Sequence, residues 1–255
     1  MSYKVFALVL TLGISSFTSA QSVPSRWNYG APDGPFQWGS MPGYALCGTG
    51  IDQSPVDIES GKNAGIINTT PDTALESLNL NWTASKFIEN YNGHTLQMNY
   101  DQGSSISFEG KSFDLKQFHF HSPSEHILDG RQYPLEMHFV HQSENGTTVV
   151  GVFFKEGAFN QTLQNIWDNN PKEEGVIVVP GLSMNAMDFL PKDLSYYHYT
   201  GSLTTPPCTE GVNWIVLKQP IEASSDQLRF LQKRLSGPNN RPIQPQDGRM
   251  IGESL

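Results

Sequence analysis

KQFHFHSPSEHILDGRQYPLEMHFVH, residues 116–141, decides how this chain folds. At its two ends, apolar and polar residues alternate one by one, which is the period of a β-strand. In the first run Gln117, His119 and His121 share one face, and Phe118 and Phe120 share the other. In the second, Glu136, His138 and Val140 point one way, and Leu135, Met137 and Phe139 point the other. A turn near ILDGRQ brings the two runs together. Each imidazole-bearing face then has an apolar face buried behind it, and that backing gives the rigidity a ligand platform needs.

Histidine is scarce here, with 7 in 255 residues, yet three fall between Lys116 and His126. On adjacent strands with matching parity, His119, His121 and His138 converge. Three neutral imidazoles suit zinc, and a set of fewer than four protein ligands leaves a position for water, as in catalytic sites. No cysteine or methionine lies at ligand spacing, which favours zinc over copper. Gln117 and Glu136 each precede a candidate ligand by two residues on the same face, placed to accept its second ring N–H. His126, His141 and His198 lack this support and read as ordinary hydrogen-bonded or surface histidines.

Strand signals extend outward from this centre. FIENYNGHTLQMNY (87–100) places two β-rich runs around Asn92-Gly93. SISFEGKSFDLKQFHFH (105–121) reads as short strands with Glu109-Gly110 as a turn, and SENG (143–146) separates PLEMHFVHQ from TTVVGVFF. GVIVV (175–179) and VNWIVL (212–217) are of strand length. Two helices are expected, FNQTLQNIWDN (159–169) and SSDQLRFLQKRL (224–235), the second with Ser224 and Gln227 as a capping box. The expected class is mainly β.

Lys4, the apolar run VFALVLTLGI and the small residues of SSFTSA read as a signal peptide over residues 1–20. That run is too short to span a bilayer, so the expectation is one exported domain over 21–255, secreted or periplasmic, with no membrane insertion. Lys4 is the leader's only charged residue, so its removal takes the net charge from −9 to −10. This balance argues against nucleic acid and anionic membranes as partners. Cys47 and Cys208, an even pair in an exported chain, favour a disulfide over two free buried thiols. Sequons stand at Asn68, Asn81, Asn145 and Asn160.

SEHILDGRQYPLEMHFV (124–140) resembles the α-class carbonic anhydrase signature at every constrained position. WNYGAPDGPFQW (27–38), QSPVDI (53–58), NGH (92–94), GSLTTPPCTEGVNW (201–214) and NNRPIQP (239–245) resemble further segments of that family, in order. The resemblance runs from about Trp27 to Arg249. It implies a large, twisted, mostly antiparallel central sheet with a few short peripheral helices. It also implies reversible hydration of carbon dioxide to bicarbonate and a proton, by zinc-bound hydroxide.

Residue by residue, the resemblance makes His119, His121 and His138 the zinc ligands. Gln117, Glu136 and the carbonyl of Asn239 stand behind them. Thr204 is the gatekeeper, its hydroxyl donating to Glu125. Val140, Val149, Leu203, Thr205 and Trp214 form the substrate pocket, and His94 is the proton shuttle. Tyr29, Asn92 and Gln97 match positions that order water. Cys47 and Cys208 match a disulfide of exported members. Two departures are Gln97, where many relatives carry asparagine, and Ser122, where animal members carry tryptophan. The implied protein is a monomer or homodimer.

HFHSPSE also looks like the first metal motif of cupins, which would make Glu125 a ligand to iron or manganese, but that reading leaves QSPVDI and GSLTTPP unexplained. A silent, binding or storage relative is the other alternative. The presence of all three histidines, Thr204 and Glu125 speaks against it.

Overall fold

The computed structural model describes residues 26–61 and 75–254. The expected leader and the Asn68 sequon lie outside them. Fifteen strands and three α-helices are described. In chain order they are α1 (Leu46–Thr49), β1 (Asp57–Ile58), β2 (Asn79–Asn81), β3 (Ser85–Tyr91), β4 (Leu96–Asn99), β5 (Ser105–Phe108), β6 (Lys111–His121), β7 (Ile127–Leu128) and β8 (Arg131–Gln132). There follow β9 (Leu135–Ser143), β10 (Gly146–Glu156), α2 (Gln161–Asn169), β11 (Gly175–Met184), β12 (Tyr196–Ser202), β13 (Glu210–Leu217), β14 (Ile221–Ala223), α3 (Ser225–Leu235) and β15 (Gly252–Glu253).

Twelve strands form one sheet whose main path runs β11-β3-β4-β6-β9-β10-β13-β12-β15. Its pairs are antiparallel except where β13 and β14 join β10. β1, β7 and β8 make a small second sheet. This is the mainly β architecture expected.

The centre of the sheet is β6 against β9, where His119 stands directly opposite His138. Strand β6 is a single run of eleven residues, longer than the short strands expected. Its buried apolar side chains are Phe113 and Leu115 before Lys116, and Phe118 and Phe120 after it. The parity therefore flips. The register against β9 slips between Leu115 and Gln117, so Lys116 is the extra residue of a β-bulge. All four apolar residues enter the same core. Without the bulge His119 and His121 would share the face of Phe113 and Leu115 and point into that core. Phe118, Phe120 and Phe139 are wholly buried behind the histidines. Each contributes about 2 kcal/mol through burial, which fixes the platform.

Local rules set the connections. Glu109 and Gly110, both with positive φ (50° and 69°), close a two-residue turn between Phe108 and Lys111. The Asn92-Gly93 turn is wider, because pairing resumes only at Leu96 opposite Tyr91. Gly93 takes φ 83°, and a Cβ there would lie 2.7 Å from Glu174 Oε1. Helix α3 begins with the expected capping box, Ser224 and Gln227. Asn160 caps α2, its Oδ1 accepting from Leu163 N–H and its Nδ2 donating to Glu222 O. That amide is thus engaged, whereas the sequon asparagines Asn81 and Asn145 are exposed. Cys47 and Cys208 form a disulfide across 161 residues. Among the described residues no helix is long and apolar enough to cross a membrane.

Glu89 breaks the pattern of β3. It is wholly buried, and neither carboxyl oxygen has a hydrogen-bond partner. Burial pushes its pKa from 4.5 up to about 8, with Arg234 opposing the shift. A carboxyl whose folded pKa is raised favours folding while protonated, and that stability is lost as pH rises from about 4.5 through about 8. From pH 6 to pH 9 the wild type therefore loses about 2–3 kcal/mol that a Glu89→Met variant keeps. The variant's melting temperature should gain about 5–10 °C on the wild type over that range. Thermal melts at both pH values check this; a gap that does not widen with pH contradicts it.

Candidate metal centre

The bulge and the β6–β9 register bring His119, His121 and His138 together. One nitrogen from each ring lies within 4.8 Å of the others. The ring centroids are 5.0 Å apart for His119–His121, 5.4 Å for His119–His138 and 4.7 Å for His121–His138.

What each ring does with its other nitrogen fixes the tautomer. His119 Nδ1 lies 2.8 Å from Gln117 Oε1, and His121 Nδ1 lies 2.8 Å from the carbonyl oxygen of Asn239. His138 Nε2 lies 2.8 Å from Glu136 Oε1. A carbonyl or carboxylate oxygen only accepts, so these nitrogens carry the protons. Lone pairs remain on Nε2 of His119, Nε2 of His121 and Nδ1 of His138. His121 Nε2 is buried and has no hydrogen-bond partner, an arrangement that costs free energy unless something ligates it. Burial, together with the neighbouring imidazoles, holds the His119 pKa well below 6.5. Burial lowers the His121 pKa as well, so both of these rings favour the neutral form a metal needs. The residues fit a divalent cation of zinc's preference.

Glu136 anchors the arrangement. Its Oε2 accepts from the backbone N–H of Glu125 (2.8 Å) and of His126 (2.9 Å). Its Oε1 lies 2.7 Å from His126 Nδ1 as well as 2.8 Å from His138. Burial works to raise its pKa, but its interactions with His126 and His138, the hydrogen bonds among them, outweigh it and hold the carboxyl well below the usual range.

His126, read from sequence as an ordinary histidine, is a structural partner of the site. Its Nε2 meets Tyr199 Oη at 2.7 Å, and Tyr199 Oη lies 2.8 Å from Ser54 Oγ. No periodicity relates His126 to Glu136, so only the folded hairpin shows the pairing. Arg241 was missed too. Its N–H donates to Glu125 Oε1 (2.8 Å), and its buried guanidinium donates to Gln53 Oε1 and the carbonyls of Ser54 and Cys47.

The other expected residues fall around this centre. Val140, Val149 and Trp214 belong to one buried cluster, with Leu203 packed against it. Val149 pairs with Val140 on one side and Trp214 on the other. The Trp214 ring meets His138 edge-on at 4.8 Å. Thr205 is half-buried, and its carbonyl accepts from Cys208 N–H. Thr204 and Glu125 are both buried. The hydrogen bond expected between them is not formed among the described residues: Glu125 Oε2 is buried without a partner.

His94 stacks on Trp27 at 3.9 Å and 12°, and Tyr29 meets its ring at 6.3 Å. Burial lowers the His94 pKa from 6.5; Glu174 raises it and Arg26 lowers it further. Asn92 Oδ1 accepts from the N–H groups of His94 and Thr95, which makes Asn92 a builder of the turn. Gln97 donates to Asn99 Oδ1 at 2.7 Å.

A profile of eukaryotic-type carbonic anhydrases matches residues 33–255. The chain belongs to the α-carbonic anhydrase family. A carbonic anhydrase of Pectobacterium atrosepticum is 38% identical over 250 residues, covering 96% of this chain and 98% of its own. A solved hyperthermostable carbonic anhydrase from a hydrothermal vent chimney superposes with a TM-score of 0.83 at 42% identity, covering 90% of this chain and 100% of that one. Dioscorin DB3L of Dioscorea polystachya is 31% identical over 259 residues, covering 96% of this chain and 92% of its own. α-Carbonic anhydrase membership excludes the cupin reading. The histidine trio that could hold a metal does not include Glu125.

Proposed function

We propose that the protein hydrates carbon dioxide reversibly to bicarbonate and a proton, at a zinc ion held by His119, His121 and His138. The observation that carries this reading is the set of three fixed tautomers, which leaves three lone pairs around one point, one of them on a buried, unpartnered nitrogen. Bound zinc supplies Lewis acidity and lowers the pKa of a bound water to about 7, carbonic anhydrase itself being the standing example.

The chain's own residues do the rest. Gln117, Asn239 and Glu136 hold the three rings in orientation and in the tautomers that leave one lone pair on each. An ionised Glu125 only accepts. Its Oε2 has no hydrogen-bond partner among the described residues and is the acceptor this reading assigns to the Thr204 hydroxyl. With that proton given to Glu125, Thr204 presents a lone pair to the nucleophile and orients it. Carbon dioxide is small and apolar; the apolar cluster of Val140, Val149, Leu203 and Trp214 offers it a wall, and Thr205 is assigned to the same pocket.

His94 takes the product proton toward solvent, with Tyr29, Asn92 and Gln97 lining the way. Its lowered pKa keeps it neutral, and so able to accept, to lower pH than a free imidazole. A His94→Ala variant should retain zinc and lose about tenfold or more in turnover in weak buffer. Imidazole in solution should restore most of the loss. If the variant loses zinc instead, this role for His94 is wrong. For the function as a whole, stopped-flow hydration should vanish with a zinc chelator and return with added zinc; activity that survives metal removal contradicts the proposal.

The signal peptide and single export domain remain part of this reading, supported by the disulfide.

A further inference from the structure

The turn that carries His94 is tied to the metal ligands through one buried residue. Asn239 is 1% exposed, and its polar groups are all engaged. Its carbonyl takes the His121 Nδ1 proton at 2.8 Å. Its N–H donates to Ser122 O at 3.2 Å, and its Oδ1 accepts from Ser122 N–H at 2.7 Å. Its Nδ2 donates to two carbonyls, Phe120 O at 2.9 Å and His94 O at 3.0 Å.

The orientation of this amide is dictated by chemistry. A backbone N–H faces one end and two carbonyls face the other, so the oxygen and nitrogen cannot be exchanged. Phe120 lies between the ligands His119 and His121. The same Phe120 carbonyl also accepts from Thr95 Oγ1 at 2.6 Å, at the far end of the turn. Asn92 ties the turn to itself. Among the described hydrogen bonds, Asn239 alone reaches the His94 carbonyl. The His94 side of the turn borders a hollow of about 420 Å³ that Tyr29 and Ser236 also line; Trp27 stacks on the His94 ring there, but no described hydrogen bond from that side reaches the His94 carbonyl.

We infer that the Asn239 side chain is a positioning residue for His94: it sets the place of the proton acceptor relative to the histidine trio. This rests on the His94 role proposed above. The backbone carbonyl toward His121 survives any substitution at this position, so the side-chain role can be tested apart from the one at the metal. Asn239→Asp keeps the size and the acceptor for Ser122 N–H but aims an oxygen at two carbonyls. Asn239→Ser keeps a small polar group but cannot reach His94. Thermal melting identifies which of the two folds, and either suffices.

Three readouts on the zinc-loaded variants decide the matter, with His94→Ala alongside. In weak buffer kcat should fall about tenfold, and kcat/KM should fall less. Added imidazole should restore most of the lost kcat. Amide exchange at His94 and Thr95 should accelerate. If kcat and kcat/KM fall together without imidazole rescue, Asn239 serves the metal site or the fold alone and the inference is overturned. Unchanged exchange also overturns it. If His94→Ala shows no imidazole-reversible loss, the shuttle reading fails instead, and amide exchange still reports whether Asn239 holds the turn.

Discussion

Replacing His119 by alanine will remove tight zinc binding and reduce carbon dioxide hydration to background. The expectation follows from the geometry. With His119 gone, two imidazoles remain, and a catalytic zinc site needs three protein ligands. The loss should be near complete, because no other described side chain stands in the position of that ring. The register makes this specific: His119 is directly opposite His138 and two residues before His121, so its removal takes one of the three corners from the trio. The fold should survive, since His119 is only half-buried and the aromatic face behind it is untouched. Zinc content after dialysis and stopped-flow hydration on the same sample check the result. Retained zinc with retained turnover would show that the ligand set is wrong.

The second large effect is at Glu136. This carboxylate receives four donors: the His138 and His126 rings and the N–H groups of Glu125 and His126. Glu136→Ala leaves all four buried and unpaired. Breaking a buried hydrogen-bonded pair from one side costs about 3–5 kcal/mol, and loss of the group behind a ligand costs about 10–100-fold in metal affinity. The variant should therefore melt well below the wild type and bind zinc more weakly. Glu136→Gln, which retains an acceptor oxygen and the volume, should lie between the two. Differential scanning calorimetry and chelator competition measure the two effects. A variant with unchanged zinc affinity would show that Glu136 matters to the fold and not to the metal.

Much of this centre was legible in the sequence, for a physical reason. Strand parity is a local property, so the alternation in QFHFH and LEMHFV was enough to put imidazoles on one face and apolar groups on the other. Parity is reliable only within an uninterrupted strand. The bulge at Lys116 is invisible in the pattern, because DLKQF reads equally well as the end of one strand and the start of another. It is also what allows Phe113, Leu115, Phe118 and Phe120 all to reach one core. Two of the three described α-helices were legible, α3 from its capping box, whereas the four-residue α1 was not; in Asn160 and Ser224 one polar side chain satisfies otherwise unpaired N–H groups.

What the sequence hid is non-local polar pairing. His126 meets Glu136 across a hairpin, and Arg241 reaches back to Gln53 and Cys47. Such bonds obey no period and appear only when the chain is closed. The structure itself leaves the expected Thr204–Glu125 bond unformed, with its acceptor in place. Glu89 shows the converse. It is an ionisable residue at a core position, and among the described residues neither carboxyl oxygen has a hydrogen-bond partner. Parity puts Glu89 on the buried face of Phe87, but it does not say whether the fold supplies a partner there.

X-ray absorption at the zinc edge of the zinc-loaded protein tests the central claim most directly. The account predicts four nitrogen or oxygen neighbours at about 2.0–2.1 Å, three of them showing the outer-shell scattering of imidazole, with one imidazole lost in the His121→Ala variant. A sulfur neighbour, a coordinating carboxylate in place of an imidazole, or a spectrum unchanged in that variant would contradict it.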